Sequence, residues 1–419
     1  MIIVKSDHGV IFEKKPGVFF GGVGTAEKLH GDFKQGCLQN VNRAFGLGQQ
    51  CPIATATRVV QAIDNSVLIV HSPIGCTGVM NMENGSMKIH SRLYGLPERN
   101  SWIMTTNMDE MDIINGGEAK LKETILEAVR RHDPELISIM TSCASGIIGD
   151  DIDSVIEQLQ PELRAILLPI YCEGFRSRIP MTGSDSAFLG IQRTILKDAE
   201  PAAEKQDLVN VVVLPTTGPK DRGYLGELLG RMGLKANFVP YFGSVASLKN
   251  MVNAKVSTSV CVAYGSELLE FLKNKYDVPF TKYIMPIGSL ETDEWLREIG
   301  RYTGKEKEAE QVIAEERATY LDRIKALRTR VEGRRVLICN NLMRGLANAA
   351  IARDLGLDIE AIQSIVYTEF MNNEYAGSRL SEVIKPDTKI SFNGMQPHEF
   401  VNLARKVKID LYLGMGGEN

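Results

Sequence analysis

Short runs of apolar, β-branched residues recur along the chain, and between them lie helical patterns. The runs are Ser66–Val70, Leu136–Met140, Ala165–Ile170, Leu208–Leu214, Val256–Val260, Val336–Cys339 and Ile409–Leu413. Near-continuous apolar runs of this length suit strands buried on both faces, as in a parallel sheet. Gly117–Arg131 places apolar residues at three-and-four spacing and basic residues in its last turn. Gly149–Leu159 opens on acids, which suits a helix N-terminus. Leu225–Met232, Val245–Val252, Ser266–Lys275 and Leu346–Leu355 read as further helices. The alternation predicts an α/β fold of doubly wound, Rossmann-like parallel-sheet units.

The length of 419 residues suggests two or three such units, at about 150 residues per domain. Two seams divide the chain. Lys197–Asp207 is polar and contains Pro201. Gly304–Arg335 is charged, carries many acid–base pairs at i,i+4 spacing, and reads as a long exposed helix ending at Gly333. The expected domains are 1–205, 206–303 with Cys261, a linking helix at 304–335, and a third α/β unit at 336–419. Asp410–Gly414 reads as a strand and Met415–Asn419 as a loop that would feed another helix, so the third unit is expected to be incomplete.

Composition excludes several function classes. The formal charge is −4, which argues against a nucleic-acid binder driven by bulk charge. No window approaches the roughly 18 unbroken apolar residues of a membrane span. The N-terminus MIIVKSDHGVIFEKK lacks an apolar signal-peptide core, so a cytoplasmic location is expected. No Gly-x-x-x-x-Gly-Lys-Ser/Thr motif occurs, so the chain is not expected to bind ATP through a P-loop. Gly21–Ala26 resembles a phosphate loop only loosely, since no apolar strand of normal length precedes it.

The cysteines carry the chemistry. They are Cys37, Cys51, Cys76, Cys143, Cys172, Cys261 and Cys339. An odd number spread this widely argues against disulfides and leaves buried thiols, metal ligands or nucleophiles. Cys76, Cys143, Cys172, Cys261 and Cys339 lie at or just beyond the carboxyl end of a predicted strand, where open α/β sheets bind ligands. Cys339 sits inside an apolar strand and reads as packing. Cys51 (in GQQCPIA), Cys76 (in HSPIGCTG) and Cys143 (in TSCASGIIGDD) sit in loops rich in glycine or other small residues and in backbone donors. Thiolates in such loops suit iron–sulfur clusters. A four-cysteine cluster would draw its remaining ligand from another chain. Among the neighbours, His71 is expected to hydrogen-bond backbone, Asp150 and Asp151 to face a helix dipole, and Glu173 and Arg176 to form a local ion pair.

The order and wording of these segments resemble the α-type subunit of the nitrogenase component 1 family. The likeness includes Cys51 with Cys76 placed 25 residues later, HSPIGCTG, Thr106–Leu121, TSCASGIIGDDIDSV and Cys172–Phe175. Cys261 precedes Lys275–Phe280 by 14 residues, as the family's cofactor cysteine precedes a Lys-Tyr-x-x-Pro-aromatic stretch. The resemblance implies that Cys51, Cys76 and Cys143 ligate a cluster shared with a homologous β-type subunit in a heterotetramer. That cluster is either eight-iron and P-cluster-like or four-iron. It further implies that Cys261 ligates, and Arg344 contacts, a larger iron–sulfur active-site cofactor of the FeMo-co or L-cluster type. That cofactor would lie in a central cleft between three units, and a separate ATP-dependent iron–sulfur reductase would deliver the electrons. Tyr264 and Gly265 can shape the space beside Cys261. The family's second cofactor ligand, a histidine, would fall beyond Asn419. The Gln and His of dinitrogen reductases find no match in Arg176–Gly190, and the family's twin-arginine clamp is reduced to Arg344. The implied activity is therefore a nitrogenase-like reductase of the alkyl-thioether or the dinitrogen type, and these departures favour the former. The alternatives are a scaffold for cofactor assembly and a tetrapyrrole reductase subunit.

Overall fold

A computed structural model of the chain describes residues 22–28, 51–61, 63–78, 101–176, 182–214, 217–241, 243–261, 264–282, 285–364, 374–392 and 397–414. Cys37 and Met415–Asn419 lie outside the described residues. The strands are β1 (Gly22–Thr25), β2 (Ser66–His71), β3 (Ser101–Thr105), β4 (Leu136–Thr141), β5 (Ile166–Ile170), β6 (Gln206–Val213), β7 (Lys235–Pro240), β8 (Ala254–Ser259), β9 (Arg335–Asn340), β10 (Asp358–Ser364), β11 (Lys389–Phe392) and β12 (Leu411–Gly414). Every apolar run read from the sequence is a strand.

The described residues fall into two compact units, one running through 51–280 and one comprising 22–28 with 281–414. The first holds two all-parallel sheets, ordered β3-β2-β4-β5 and β7-β6-β8. β2 and β4 are buried at every residue, which is why they read as near-continuous apolar runs. Helix Glu118–His132 lays Leu121, Ile125 and Ala128 on this sheet, against Val67, Ile69, Ile137 and Ile139. The second unit holds the sheet β1-β11-β10-β9-β12, parallel except for β1. Gly22–Thr25 is thus a strand rather than a phosphate loop.

The two seams differ from the sequence reading. Residues 197–207 do not separate compact units, because 206–280 clusters with the first sheet. The division falls at Phe280/Thr281, ahead of the expected boundary at 304, because helix Gly288–Thr303 packs on both helix Glu306–Val331 and helix Leu342–Asp354. The long charged helix is present at Glu306–Val331 and buries only Ala309, Val312 and Ile313. Helix Ile152–Leu159 starts later than Gly149, since Gly149 ends the preceding helix in the left-handed region (φ 79°).

Candidate metal centre

The first sheet brings three of the candidate thiols to one edge. Cys76 lies in a helical turn, 74–78, just past β2. Cys143 is the first residue of helix Cys143–Ile148, past the adjacent β4. Cys51 is the N-cap of helix Pro52–Val60. Gly174 follows β5, the next strand along. A Cβ on Gly174 would stand 3.1 Å from Cys51 Sγ and 3.4 Å from Cys143 Sγ, so those two sulfurs are at most about 6.5 Å apart. Cys76 senses the charge of both, which raises its thiol further after burial has done so; the Ser72 side chain opposes them. Burial also raises Cys51, against a hydrogen bond from the Ile53 amide, and Cys143 adds to the rise.

Two features separate this trio from packing thiols. Cys51 and Cys143 are exposed and Cys76 is half-buried, whereas Cys172, Cys261 and Cys339 are buried. Cysteine is among the most buried residue types, so exposed sulfurs converging on one glycine call for an explanation. Among the described residues no three His, Cys, Asp or Glu side chains close on a point that one metal ion would occupy.

Cys172 stands behind the trio. Its thiol points to the Thr141 carbonyl (3.7 Å) and is raised well above its ordinary value by burial, then by Glu173 and the three other thiols. Glu173 is buried, pairs with Arg176 at 2.7 Å, and packs over Gly146 of the Cys143 helix. That ion pair agrees with the sequence reading.

His71 and Asp150 do not follow it. His71 is fully buried and meets two side chains, Thr106 Oγ1 at 3.1 Å and Asp150 Oδ2 at 2.8 Å. Asp150 also accepts the Gly117 N–H at 2.9 Å, so it bonds a helix two strands away while Asp151 caps its own helix. Gly117 fits because it lacks a Cβ, which would stand 2.7 Å from Met108 Cε and 2.9 Å from both Asp150 Oδ2 and His71 Cε1. The pair therefore locks the Cys76 and Cys143 loops to one another. The sequence signal was a double glycine opening a helix that has no capping side chain.

Burial lowers the His71 pKa although Asp150, Asp112 and Glu118 act to raise it. The folded state thus takes up that proton less readily than the unfolded chain, whose imidazole titrates near 6.5. Stability from the neutral ring is complete above that pH and is lost as pH falls through the lowered value. Urea midpoints measured at about pH 7.5 and about pH 5.5 should fall with acidification in the wild type, and fall less in His71→Gln. Equal slopes would remove His71 from this account.

Cys261 follows β8, in a turn closed on itself. Ser259 Oγ accepts the Cys261 N–H (3.2 Å) and lies within donating distance of the Cys261 and Tyr264 carbonyls, while the Tyr264 N–H donates to the Cys261 carbonyl (3.1 Å). Arg344 lies in the other compact unit, at the start of helix Leu342–Asp354. Its backbone N–H donates to the Asn341 cap at 2.9 Å, and its Nε is buried without a hydrogen-bond partner among the described residues.

The family profile of nitrogenase component 1 type oxidoreductases matches residues 51–419. A relative from Methanococcus maripaludis, the nitrogenase iron-molybdenum cofactor biosynthesis protein NifE, is 26% identical over 333 residues, covering 77% of this chain and 66% of its own length. The nitrogenase molybdenum-iron protein alpha chain of Methanosarcina barkeri is 28% identical over 371 residues, covering 86% of this chain and 66% of that protein. The chain thus spans just under two thirds of the length of these relatives. Among solved structures, nitrogenase Cp1 at pH 5 superposes with a TM-score of 0.71 at 21% identity, over 89% of this chain and 80% of that one. Among the described residues, no helix is long and apolar enough to cross a membrane.

Proposed function

This chain belongs to the nitrogenase component 1 type oxidoreductases and is similar to their α-type subunits, and from that premise we propose that it is a subunit of a nitrogenase-like reductase complex. Cys51, Cys76 and Cys143 would hold an iron–sulfur group, eight-iron or four-iron, shared with a homologous β-type subunit in a heterotetramer. Cys261 would hold a larger iron–sulfur cofactor. Iron–sulfur groups supply one-electron redox chemistry when bound. The observation that carries this reading is the trio of solvent-reaching sulfurs at the carboxyl edge of one parallel sheet, with Gly174 leaving the space between two of them open.

The donor set fits. Thiolates are soft ligands that select iron–sulfur clusters, and three from one chain leave the set to be completed by another. The surroundings fit a shared site as well. Ile74, Met111, Ile114, Ile147 and Phe175 are exposed, and each neighbours a cysteine loop in sequence or belongs to helix Glu110–Asn115, which packs against the Cys143 helix. Exposed apolar side chains gathered in this way mark an interaction surface. On this reading an ATP-dependent iron–sulfur reductase supplies low-potential electrons, in keeping with the missing P-loop. The unmatched segment Arg176–Gly190 favours a small substrate of the alkyl-thioether type over dinitrogen.

A second reading, a scaffold on which the cofactor is assembled, is favoured by the similarity to NifE. One experiment weighs both. The chain is co-expressed with a homologous subunit, purified without oxygen, and assayed for iron and by EPR, then supplied with reductase and ATP. Iron bound at the interface with substrate turnover is the expected result. Iron with cofactor release and no turnover would favour the scaffold. A complex that binds no iron would refute both.

A further inference from the structure

We infer that the Tyr264 hydroxyl is a hydrogen-bond donor held for the sulfur-rich group that Cys261 carries, which makes Tyr264 a positioning residue of that site. The inference rests on the reading of Cys261 as a cofactor ligand.

Tyr264 is 2% exposed, and its Oη has no hydrogen-bond partner among the described residues. Buried tyrosines ordinarily find a partner for that oxygen, and leaving it unpaired costs free energy. Phenylalanine would pack equally well, so the oxygen is the informative atom. The ring cannot carry it elsewhere. Phe188 meets it edge-on, with centroids 5.0 Å apart and planes at 80°. The Ser259 turn fixes the backbone on one side. On the other, Gly265 has φ 80° and sits so close to Val212 that a Cβ there would stand 2.9 Å from Val212 Cγ1. A left-handed glycine packed this tightly holds the backbone that follows the ring in place.

Tyr264 also adjoins the ligand residue, its backbone N–H donating to the Cys261 carbonyl at 3.1 Å. A neutral phenol offers an O–H donor. Its natural acceptor is an anionic sulfur, on Cys261 itself or on a sulfide that Cys261 brings into reach. Charge-assisted hydrogen bonds are the strong ones, and hydrogen bonds to sulfur tune iron–sulfur groups.

The test compares Tyr264→Phe and Cys261→Ala in the full chain co-purified with its partner subunit. In metal-free protein, Tyr264→Phe should melt higher than wild type by about 1–3 °C, because the deleted hydroxyl had no partner. In iron-loaded complex the same variant should keep its iron content while the EPR g values of the larger cluster shift. Cys261→Ala should lose that cluster's iron and signal altogether. A metal-free Tyr264→Phe that melts lower than wild type would overturn the inference, since the hydroxyl would then already be satisfied. So would a loaded spectrum superimposable on wild type in a background where Cys261→Ala removes iron. Unchanged iron in Cys261→Ala would instead overturn the ligand reading, and the inference with it.

Discussion

Cys143→Ala is expected to strip the interface cluster from the purified complex while leaving the chain itself folded. Cys143 is exposed, so truncating it removes almost no packing, and surface substitutions of this kind shift stability by about 0.5 kcal/mol or less. Iron loss therefore cannot be ascribed to misfolding. Cys51→Ala and Cys76→Ala should behave alike if the three sulfurs form one donor set as proposed. Cys172→Ala is the control: its thiol is buried against Thr141, so the substitution should cost about 1–2 kcal/mol and leave the iron in place. The readouts are iron per complex, EPR, and the sedimentation profile of the subunit pair. Full iron content in Cys143→Ala would show that the exposed trio is not a ligand set.

The second large effect falls on a glycine. Helices Thr182–Thr194 and Pro52–Val60 pack tightly, and a Cβ on Gly183 would stand 1.8 Å from the Pro52 carbonyl oxygen and 2.6 Å from its carbon. Backbone cannot rotate away as a side chain can. Gly183→Ala must part the two helices, at about 3 kcal/mol, the upper end for overpacking. It should also weaken iron binding, because Pro52 follows Cys51 and any shift of that helix start carries the sulfur with it. Gly223→Ala is the matched control. Gly223 lies within helix Pro219–Arg231 with nothing within 4 Å of its Cβ position. It should gain about 0.5–1 kcal/mol from lost chain entropy. Urea midpoints that move together in the two variants would mean that the helices are not in the contact described.

Much of this fold is legible in the sequence where burial is apolar. β2, β4 and β6 are central strands, and they announce themselves as runs of valine, leucine and isoleucine. β10 is just as central but reads Asp-Ile-Glu-Ala-Ile-Gln-Ser, because Gln363 and Ser364 are buried polar residues at its end. Helix Thr182–Thr194 is hidden for a similar reason: it buries Thr182, Ser184, Asp185, Ser186 and Gln192 beside its apolar residues, so no periodic face appears. β3 and β7 are edge strands, and edges tolerate the polar residues that blur a strand pattern.

The site divides along the same line. Cysteine positions at strand ends could be read directly, since topology places strand ends together. The His71–Asp150 lock could not, because Asp150 bonds a helix rather than capping its own. Nor could Gly174 be picked out, because its role lies in the side chain it does not have.

The order of strands across the first sheet governs when the site comes into being. Cys51 and Cys143 are 92 positions apart in the chain, and the loops of Cys76 and Cys143 become neighbours only once β2 has paired with β4. Contacts this distant in sequence form late, after the costly closure of the intervening loop. A nascent chain consequently offers isolated thiols, and a folded one offers a prepared socket. If the trio holds a cluster as proposed, metal delivery would follow folding, and the cell would need a donor that recognises the finished surface and an interval during which the open sulfurs are shielded from oxidants.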